Sequence, residues 1–230
     1  MKGRIYEDRC DISPDGRHFV YFAMNGRWKS ETRGSWTAIS GVPYLKALSL
    51  YPQGDTYGGG GLWLADPARW VHALPTSEPL RESTAFRRTT SNAFAEYCRP
   101  HWPGHYEVRL LRDGWRRTDR SLSGDPRSTV VFEKVVDRRW RLRKYESPVV
   151  AADGKAPKPC FWELHRLVHE RSGVVVDCPD WEWADMDCSR LVWAADGKLF
   201  TGTPTLDGLQ DIRELYNFNG MAFIQVTAPY

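Results

Sequence analysis

The chain has 230 residues, of which 41% are hydrophobic and 27% are charged. This composition is typical of a globular protein and excludes a largely disordered chain. The formal net charge of +3 arises from 32 basic and 29 acidic residues, a near balance that argues against a dedicated nucleic-acid-binding protein. No stretch is apolar over the roughly 20 residues that a bilayer crossing requires, and the first ten residues lack the apolar centre of a secretory signal. We therefore expect a soluble, cytoplasmic protein without membrane insertion.

Short alternating strands separated by turn dipeptides make up most of the predicted elements. The first hairpin is predicted at Asp15-Gly16, which the alternating residues His18 to Phe22 follow. Asp-Gly occurs five times in the chain, and both residue types tolerate the positive φ angles of tight hairpin turns. Further hairpins are predicted around residues 137–139, around residues 171–173 and at Asp196-Gly197.

The turn glycines recur at intervals near 40 residues. Gly114, Gly154 and Gly197 are 40 and 43 residues apart, and Gly16 and Gly54 are 38 apart. Four short strands with their turns, which form one blade of a propeller, fill about this length. Five such periods fit into the chain.

The interval between Gly54 and Gly114 is longer, at 60 residues. Its polar, proline-containing part at residues 74–105 predicts an inserted loop, with a short helix at 91–97. Residues 221–230, with the sequence MAFIQVTAPY, predict a terminal strand that closes a ring by pairing beside the first blade, which would remove an exposed sheet edge.

The segment Ser13 to Phe22, SPDGRHFVYF, resembles the strand-turn-strand signature of the propeller repeats in TolB-like and WD-repeat-like proteins. Trp193 to Phe200 is a weaker match of the same kind. The resemblance implies that a polar turn joins an inner strand to the second strand of each blade. The resemblance implies a propeller architecture; together with the five periods, it leads us to expect an all-β propeller of five blades in a single domain over residues 1–230. A two-sheet sandwich with recurring Asp-Gly turns is the alternative.

Two groups of residues have metal-ligand chemistry but unsuitable geometry. His165 and His169 follow Cys160 in a segment that alternates like a strand, where residues four apart are separated by roughly 13 Å. Cys98, His101 and His105 lie in a predicted loop, where packing against aromatic side chains is the simpler explanation. We predict no metal and no other cofactor.

The segment DCPDWEWADMDC contains the strongest candidates for a ligand site. Aromatic platforms at Trp181 and Trp183 beside carboxylates at Asp185 and Asp187 are suited to holding a sugar and flanking a glycosidic bond. The alternative is a link between blades, with one tryptophan in the core and the carboxylates facing water.

Arg141 and Arg143 form a second candidate site. On a strand they share one face, with Trp140 and Leu142 pointing to the other. This arrangement is suited either to an anion or RNA contact, or to a solvated strand that discourages edge pairing.

The glycine run at residues 58–61 lacks the Lys-Ser/Thr ending of a P-loop, so a loop or a close backbone approach is the expected role.

These features together predict a non-enzymatic scaffold that binds a protein partner. Tryptophan, tyrosine and arginine, which are abundant here, are the side chains enriched at interface anchors. A carbohydrate-binding or glycoside-hydrolase-like propeller is the alternative function, with carbohydrate as the second partner class; nucleic acid is not expected as a partner.

Overall fold

The computed structural model describes residues 3–72, 78–89, 104–118, 129–147, 162–222, 224 and 226–230. The predicted helix at 91–97 and the Asp153-Gly154 turn lie outside these ranges. The described chain is mostly β-structure in four sheets, which confirms the all-β prediction. It divides into two compact units, Met1–Arg112 with Ile224–Tyr230, and Asp113–Phe223.

Sheet A is a four-stranded antiparallel meander in the first unit. Its strands, in spatial as well as chain order, are β1 (Arg4–Ile12), β2 (His18–Met24), β3 (Ser35–Gly41) and β4 (Ala47–Pro52). β3 is buried except at Gly41, and β2 is buried from Val20 to Ala23, so both faces of these strands are covered there, whereas alternation by itself predicts one buried face.

The hairpin predicted at Asp15-Gly16 is confirmed, because this turn joins β1 to β2. Gly16 has a φ of 70°, which the missing Cβ makes inexpensive. The Asp15 carboxylate accepts hydrogen bonds from the Ser13 hydroxyl and the Arg17 backbone N–H. These hydrogen bonds lower the pKa of Asp15, that of Ser13 having the larger effect.

Sheet B also belongs to the first unit. Its strands are β5 (Gly61–Trp63), β6 (Arg69–His72) and β7 (Arg87–Thr89). β5 and β6 are antiparallel, whereas β6 and β7 are parallel. A hydrophobic cluster joins sheets A and B; its buried members are Val20, Ile39, Tyr51, Trp63, Trp70 and Phe86.

One helix is described, α1 (Gly104–Arg112). No helix is predicted there from the sequence, and Asp113-Gly114 is one of the five Asp-Gly dipeptides interpreted as hairpin turns. That assignment is wrong, because Asp113-Gly114 joins a helix to a strand, with Gly114 at a φ of 87° just after the last helical turn. Within the described ranges, no helix has the length and apolarity to cross a membrane.

Asp11 connects the elements of the first unit. Its buried carboxylate accepts a hydrogen bond of 2.9 Å from the Arg112 guanidinium and one of 2.7 Å from the Trp63 backbone N–H. One side chain on β1 therefore links sheet A to sheet B and to α1.

The glycine run is buried rather than loose. A Cβ on Gly60 would lie 2.4 Å from the carbonyl oxygen of Arg9, and a Cβ on Gly59 would lie 2.3 Å from the Phe22 ring. Residues 58–61 therefore mark a close backbone approach between β1, β2 and the start of sheet B, which confirms one of the two roles expected for them.

Sheet C is a five-stranded sheet in the second unit. Its strands are β8 (Arg116–Arg117), β9 (Val130–Val135), β10 (Trp140–Ser147), β11 (Trp162–His169) and β12 (Val175–Cys178). Successive strands are antiparallel neighbours. The hairpins predicted around residues 137–139 and 171–173 are both confirmed.

Sheet D is a four-stranded antiparallel meander in the same unit. Its strands are β13 (Trp183–Asp187), β14 (Arg190–Ala195), β15 (Lys198–Thr205) and β16 (Gly208–Asn217). The hairpin predicted at Asp196-Gly197 is confirmed, and these residues have φ angles of 51° and 69°, as a two-residue hairpin turn of this kind requires.

The two stretches that suggested a repeat occupy different positions in their sheets. Asp15-Gly16 joins the first and second strands of sheet A, whereas Asp196-Gly197 joins the second and third strands of sheet D. They are therefore not equivalent parts of one repeated unit. The predicted terminal strand is also not formed, because the described residues between 221 and 230 contain no strand. The Tyr230 hydroxyl instead hydrogen-bonds to the backbone of Gly41.

Candidate functional site

An exposed apolar row crosses all four strands of sheet D. The register places Trp183 opposite Ala194, Ala194 opposite Leu199, and Leu199 opposite Tyr216. Directly opposed residues share one face of a sheet, so these four side chains form a continuous row. Trp183 is 41% exposed and Tyr216 is 51% exposed, while Ala194 and Leu199 are partly exposed.

Phe218 extends this row beyond the end of β16. Its ring centre lies 4.7 Å from that of Tyr216, and it is 49% exposed. Its backbone N–H donates to the Gly197 carbonyl at 2.9 Å, which holds the residue against the β14–β15 turn. We call Trp183, Ala194, Leu199, Tyr216 and Phe218 the aromatic row.

Three polar residues and the buried Val192 flank the aromatic row. The next residues on the same face are Asp185, Val192, Thr201 and Arg213, which the register again aligns across the sheet. Arg213 is exposed and Asp185 partly exposed. An apolar centre with a charged margin is the usual composition of a protein-binding surface.

Of the two predicted tryptophan platforms, only Trp183 is accessible. Trp181 is 7% exposed and its ring stacks on that of Trp193, with centres 4.7 Å apart and planes within 11°. Trp193 stacks in turn on Phe200. Trp181 is therefore part of a three-ring stack in the protein, which is the core role that the alternative interpretation of this segment gave to one tryptophan.

The two predicted carboxylates are engaged by different cations. Asp185 accepts a hydrogen bond from the Trp115 indole N–H at 3.2 Å and pairs with Lys134, whereas Asp187 pairs with Arg190. Each carboxylate already has a cation at contact distance. This geometry does not favour the pair as acid and base around a sugar.

Comparison of the chain with protein-family models, with curated proteins and with solved structures found no match. The resemblance to TolB-like and WD-repeat-like proteins therefore depends on the sequence signature alone.

Arg141 and Arg143 share the outer face of sheet C, as predicted, and Trp140 and Leu142 are buried on the other. Arg141 pairs with Glu170 at 2.7 Å, and Arg143 pairs with Glu133 at 2.9 Å. Burial raises the pKa of Glu133, but hydrogen bonds from Arg143 and Arg116 lower it further, so the net pKa shift is downward. This face is thus an ion-pair network rather than a strip of free positive charge.

The inner face of sheet C buries charged groups beside a histidine. Lys144 pairs with Glu163 at 3.1 Å, and both lie close to His165, whose Nε2 is 3.6 Å from the Glu163 carboxylate. Burial, with a smaller contribution from the positive charge of Lys144, lowers the pKa of His165 to about 4. His165 is therefore neutral at physiological pH and fully enclosed, so we assign this cluster to the core.

The described residues contain no group of three or more His, Cys, Asp or Glu side chains that could hold a metal ion. His165 and His169 are on one strand, β11, as predicted. Cys98, His101 and Cys160, and the side chain of His105, lie outside the described part of the structure.

The sequence analysis identified only Trp183 among the five members of the aromatic row. Tyr216 and Phe218 are two residues apart, a spacing that signals one face of an extended segment. Their proximity to Trp183 depends on the strand register, which the local sequence does not specify.

Proposed function

We propose that this protein is a non-enzymatic interaction module that binds a protein partner through the aromatic row of sheet D. The observation that carries the proposal is the aromatic row itself, whose five side chains are uncharged and exposed or partly exposed. Aromatic side chains supply much of the binding energy at protein interfaces when they are buried on association. The partner surface would be apolar at its centre, with a negative charge complementary to the exposed Arg213 at its margin.

We also propose that the sheets are the blades of a propeller. Sheets A, C and D each consist of consecutive antiparallel strands, which is the internal topology of a propeller blade. The resemblance at Ser13 to Phe22 supports the same architecture. The unequal positions of the two Asp-Gly turns weigh against identical blades.

The interaction proposal is tested by affinity capture with matched variants. We would compare the wild-type chain with the double variant Trp183→Ser/Tyr216→Ser as baits in lysate of the native host. Tyr57→Ser serves as the control, because Tyr57 is an aromatic residue, 85% exposed, in the first unit. We expect a stoichiometric protein partner whose affinity falls by about 30-fold or more in the double variant and is unchanged in the control.

Two outcomes would contradict the proposal. Capture of the same partner at equal affinity by the double variant would exclude the aromatic row as its binding surface. If no protein partner is captured and the wild-type chain binds on a glycan array in a Trp183-dependent manner, the carbohydrate function would replace it. Circular dichroism melting curves should coincide for all variants, since both substituted side chains are about half exposed.

A further inference from the structure

A second surface feature lies in the first unit, far in sequence from the aromatic row. An open groove of about 420 Å³, lined by sheet D and the β9–β10 turn, is mixed in charge. A groove of about 600 Å³ beside β7 is predominantly basic. The residues lining the second groove are Asp66, Ala68, Arg69, Thr84, Ala85, Arg87, Arg88 and Thr89. Of these described residues, three are arginines and one is acidic.

The strand register brings two of the arginines together. Arg69 on β6 lies directly opposite Arg87 on the parallel strand β7, and neighbouring strands are separated by about 4.8 Å. Both side chains are exposed and lie on the same face. Like charges placed directly opposite each other destabilise a sheet, so this pairing is unfavourable unless an anion lies between them.

Neither arginine of this pair is neutralised by a carboxylate among the described residues. The ion pairs of that part of the chain include none of Arg69, Arg87 and Arg88. Asp66, the acid in the groove, accepts a hydrogen bond from the Ala68 backbone N–H at 2.9 Å. That hydrogen bond leaves the Asp66 carboxylate negative, so the groove has an excess of positive charge over a single acid, in contrast to the paired charges on sheet C.

Arg88 is not part of this pair, because it lies opposite the buried Trp70 and successive residues of a strand point to opposite faces of the sheet. Its guanidinium lies over the Tyr51 ring, 5.1 Å from the ring centre. Its Nη1 atom is enclosed and makes no hydrogen bond with the described residues. This donor lies on the face of sheet B that packs against Tyr51, so the proposal below depends on Arg69 and Arg87 and not on Arg88.

We propose that this groove binds a small phosphorylated molecule, with its phosphate group held by Arg69 and Arg87. The planar guanidinium group matches the geometry of phosphate oxygens and forms paired hydrogen bonds with them. The hydroxyl groups of Thr84 and Thr89, which also line the groove, can donate to the same oxygens. The volume exceeds that of one phosphate ion, so the groove accommodates an organic portion as well. This proposal is independent of the aromatic row.

The test is calorimetric titration of the full chain with pyrophosphate and with inorganic phosphate in a low-salt buffer. We expect one pyrophosphate per chain, bound more weakly as salt is added. Arg69→Gln and Arg87→Gln should each reduce the affinity by about 10- to 100-fold, the loss expected for a hydrogen bond to a charged group. Arg27→Gln is the matched control, because Arg27 is an exposed arginine in the same unit. This variant should bind pyrophosphate with the same affinity as the wild type.

Thermal unfolding without ligand separates a binding role from a structural one. Because Arg69 and Arg87 repel each other, each single variant should unfold at the same temperature as the wild type or at a higher one. A lower unfolding temperature would assign these arginines to the fold and overturn the proposal. It would be overturned equally by failure of both anions to bind, by unchanged binding in both variants, or by an equal loss in Arg27→Gln. Binding of a short single-stranded RNA that pyrophosphate does not displace would also overturn it.

Discussion

The burial of His165 makes the stability of the second unit sensitive to mildly acidic pH. Its side chain faces Lys144 and Glu163 on sheet C, and Asp185 on sheet D contributes to its electrostatic environment. The unfolded chain binds a proton below a pH of about 6.5, whereas the folded chain does so only near a pH of about 4. The stabilisation is therefore complete above about pH 6.5 and is lost as pH falls from there towards 4.

We predict that the wild-type protein loses about 2 kcal/mol of unfolding free energy between about pH 8 and about pH 5 through this residue. His165→Leu, which cannot titrate, should lack that part of the pH dependence. Urea unfolding at several pH values measures the effect. The lowered pKa of Glu133 acts in a separate window, because a carboxylate affects stability below about pH 4.5. Equal slopes in the two proteins over pH 5–8 would contradict this prediction.

Single residues also show which functional assignments the sequence supports. The composition and spacing of the run from Trp181 to Asp187 were visible in the sequence. The sequence did not show which tryptophan is accessible, because Trp181 is buried by a contact with Trp193 on β14. Exposure is a property of the packed structure, and two tryptophans separated by one residue can have opposite environments.

Among the structural elements, the glycine run shows how one backbone contact joins two sheets. Gly60 has a φ of 83°, and an added Cβ would lie against the backbone of β1. Gly16 has a similar φ of 70°, but a Cβ added there would have no other atom within 4 Å. Alanine substitutions at the two positions therefore separate two contributions to the free energy of unfolding: the strain of a left-handed backbone and the steric overlap of the added Cβ.

We predict that Gly60→Ala lowers the unfolding free energy by about 3–4 kcal/mol, since it combines backbone strain with overpacking. Gly16→Ala should lower it by about 1–2 kcal/mol, through backbone strain alone. Chemical denaturation of the two variants provides the comparison. Equal losses would show that β1 moves away from the glycine run without a measurable cost.

The hairpins illustrate which elements the sequence predicts well. Turns at Asp15-Gly16 and Asp196-Gly197 were predictable because φ is positive at Gly16, Asp196 and Gly197, a requirement that few residue types meet. Asp113-Gly114 has the same dipeptide but follows α1. A glycine that ends a helix and a glycine in a hairpin satisfy the same local requirement, so the dipeptide alone does not distinguish them.

In the molecule as a whole, residues distant in the chain complete the first unit. The segment Ile224–Tyr230 belongs with Met1–Arg112. The Tyr230 hydroxyl accepts a hydrogen bond of 2.8 Å from the Gly41 N–H and lies 3.1 Å from the Lys46 carbonyl oxygen. Lys46 also lies over the Tyr230 ring. This contact ties the segment to the loop between β3 and β4.

We predict that Tyr230→Phe destabilises the first unit by about 1 kcal/mol, the typical contribution of one hydrogen bond. Hydrogen exchange measured by mass spectrometry should show faster exchange at residues 41–46 and unchanged exchange in sheets C and D. Tyr57→Phe is the control, because Tyr57 is an exposed tyrosine of the same unit. Equal acceleration in both units would mean that they do not unfold separately.

The all-β class and the positions of most hairpins followed from the sequence alone, since alternation and turn chemistry act over a few neighbouring residues. Trp183 and the shared face of Arg141 and Arg143 were identified in the same way. Three further facts required the folded chain: Arg141 and Arg143 are neutralised, Trp181 is buried, and Trp183 joins Tyr216 and Phe218 in one exposed row. These outcomes depend on strand register and on contacts between residues far apart in the chain, which no local pattern encodes.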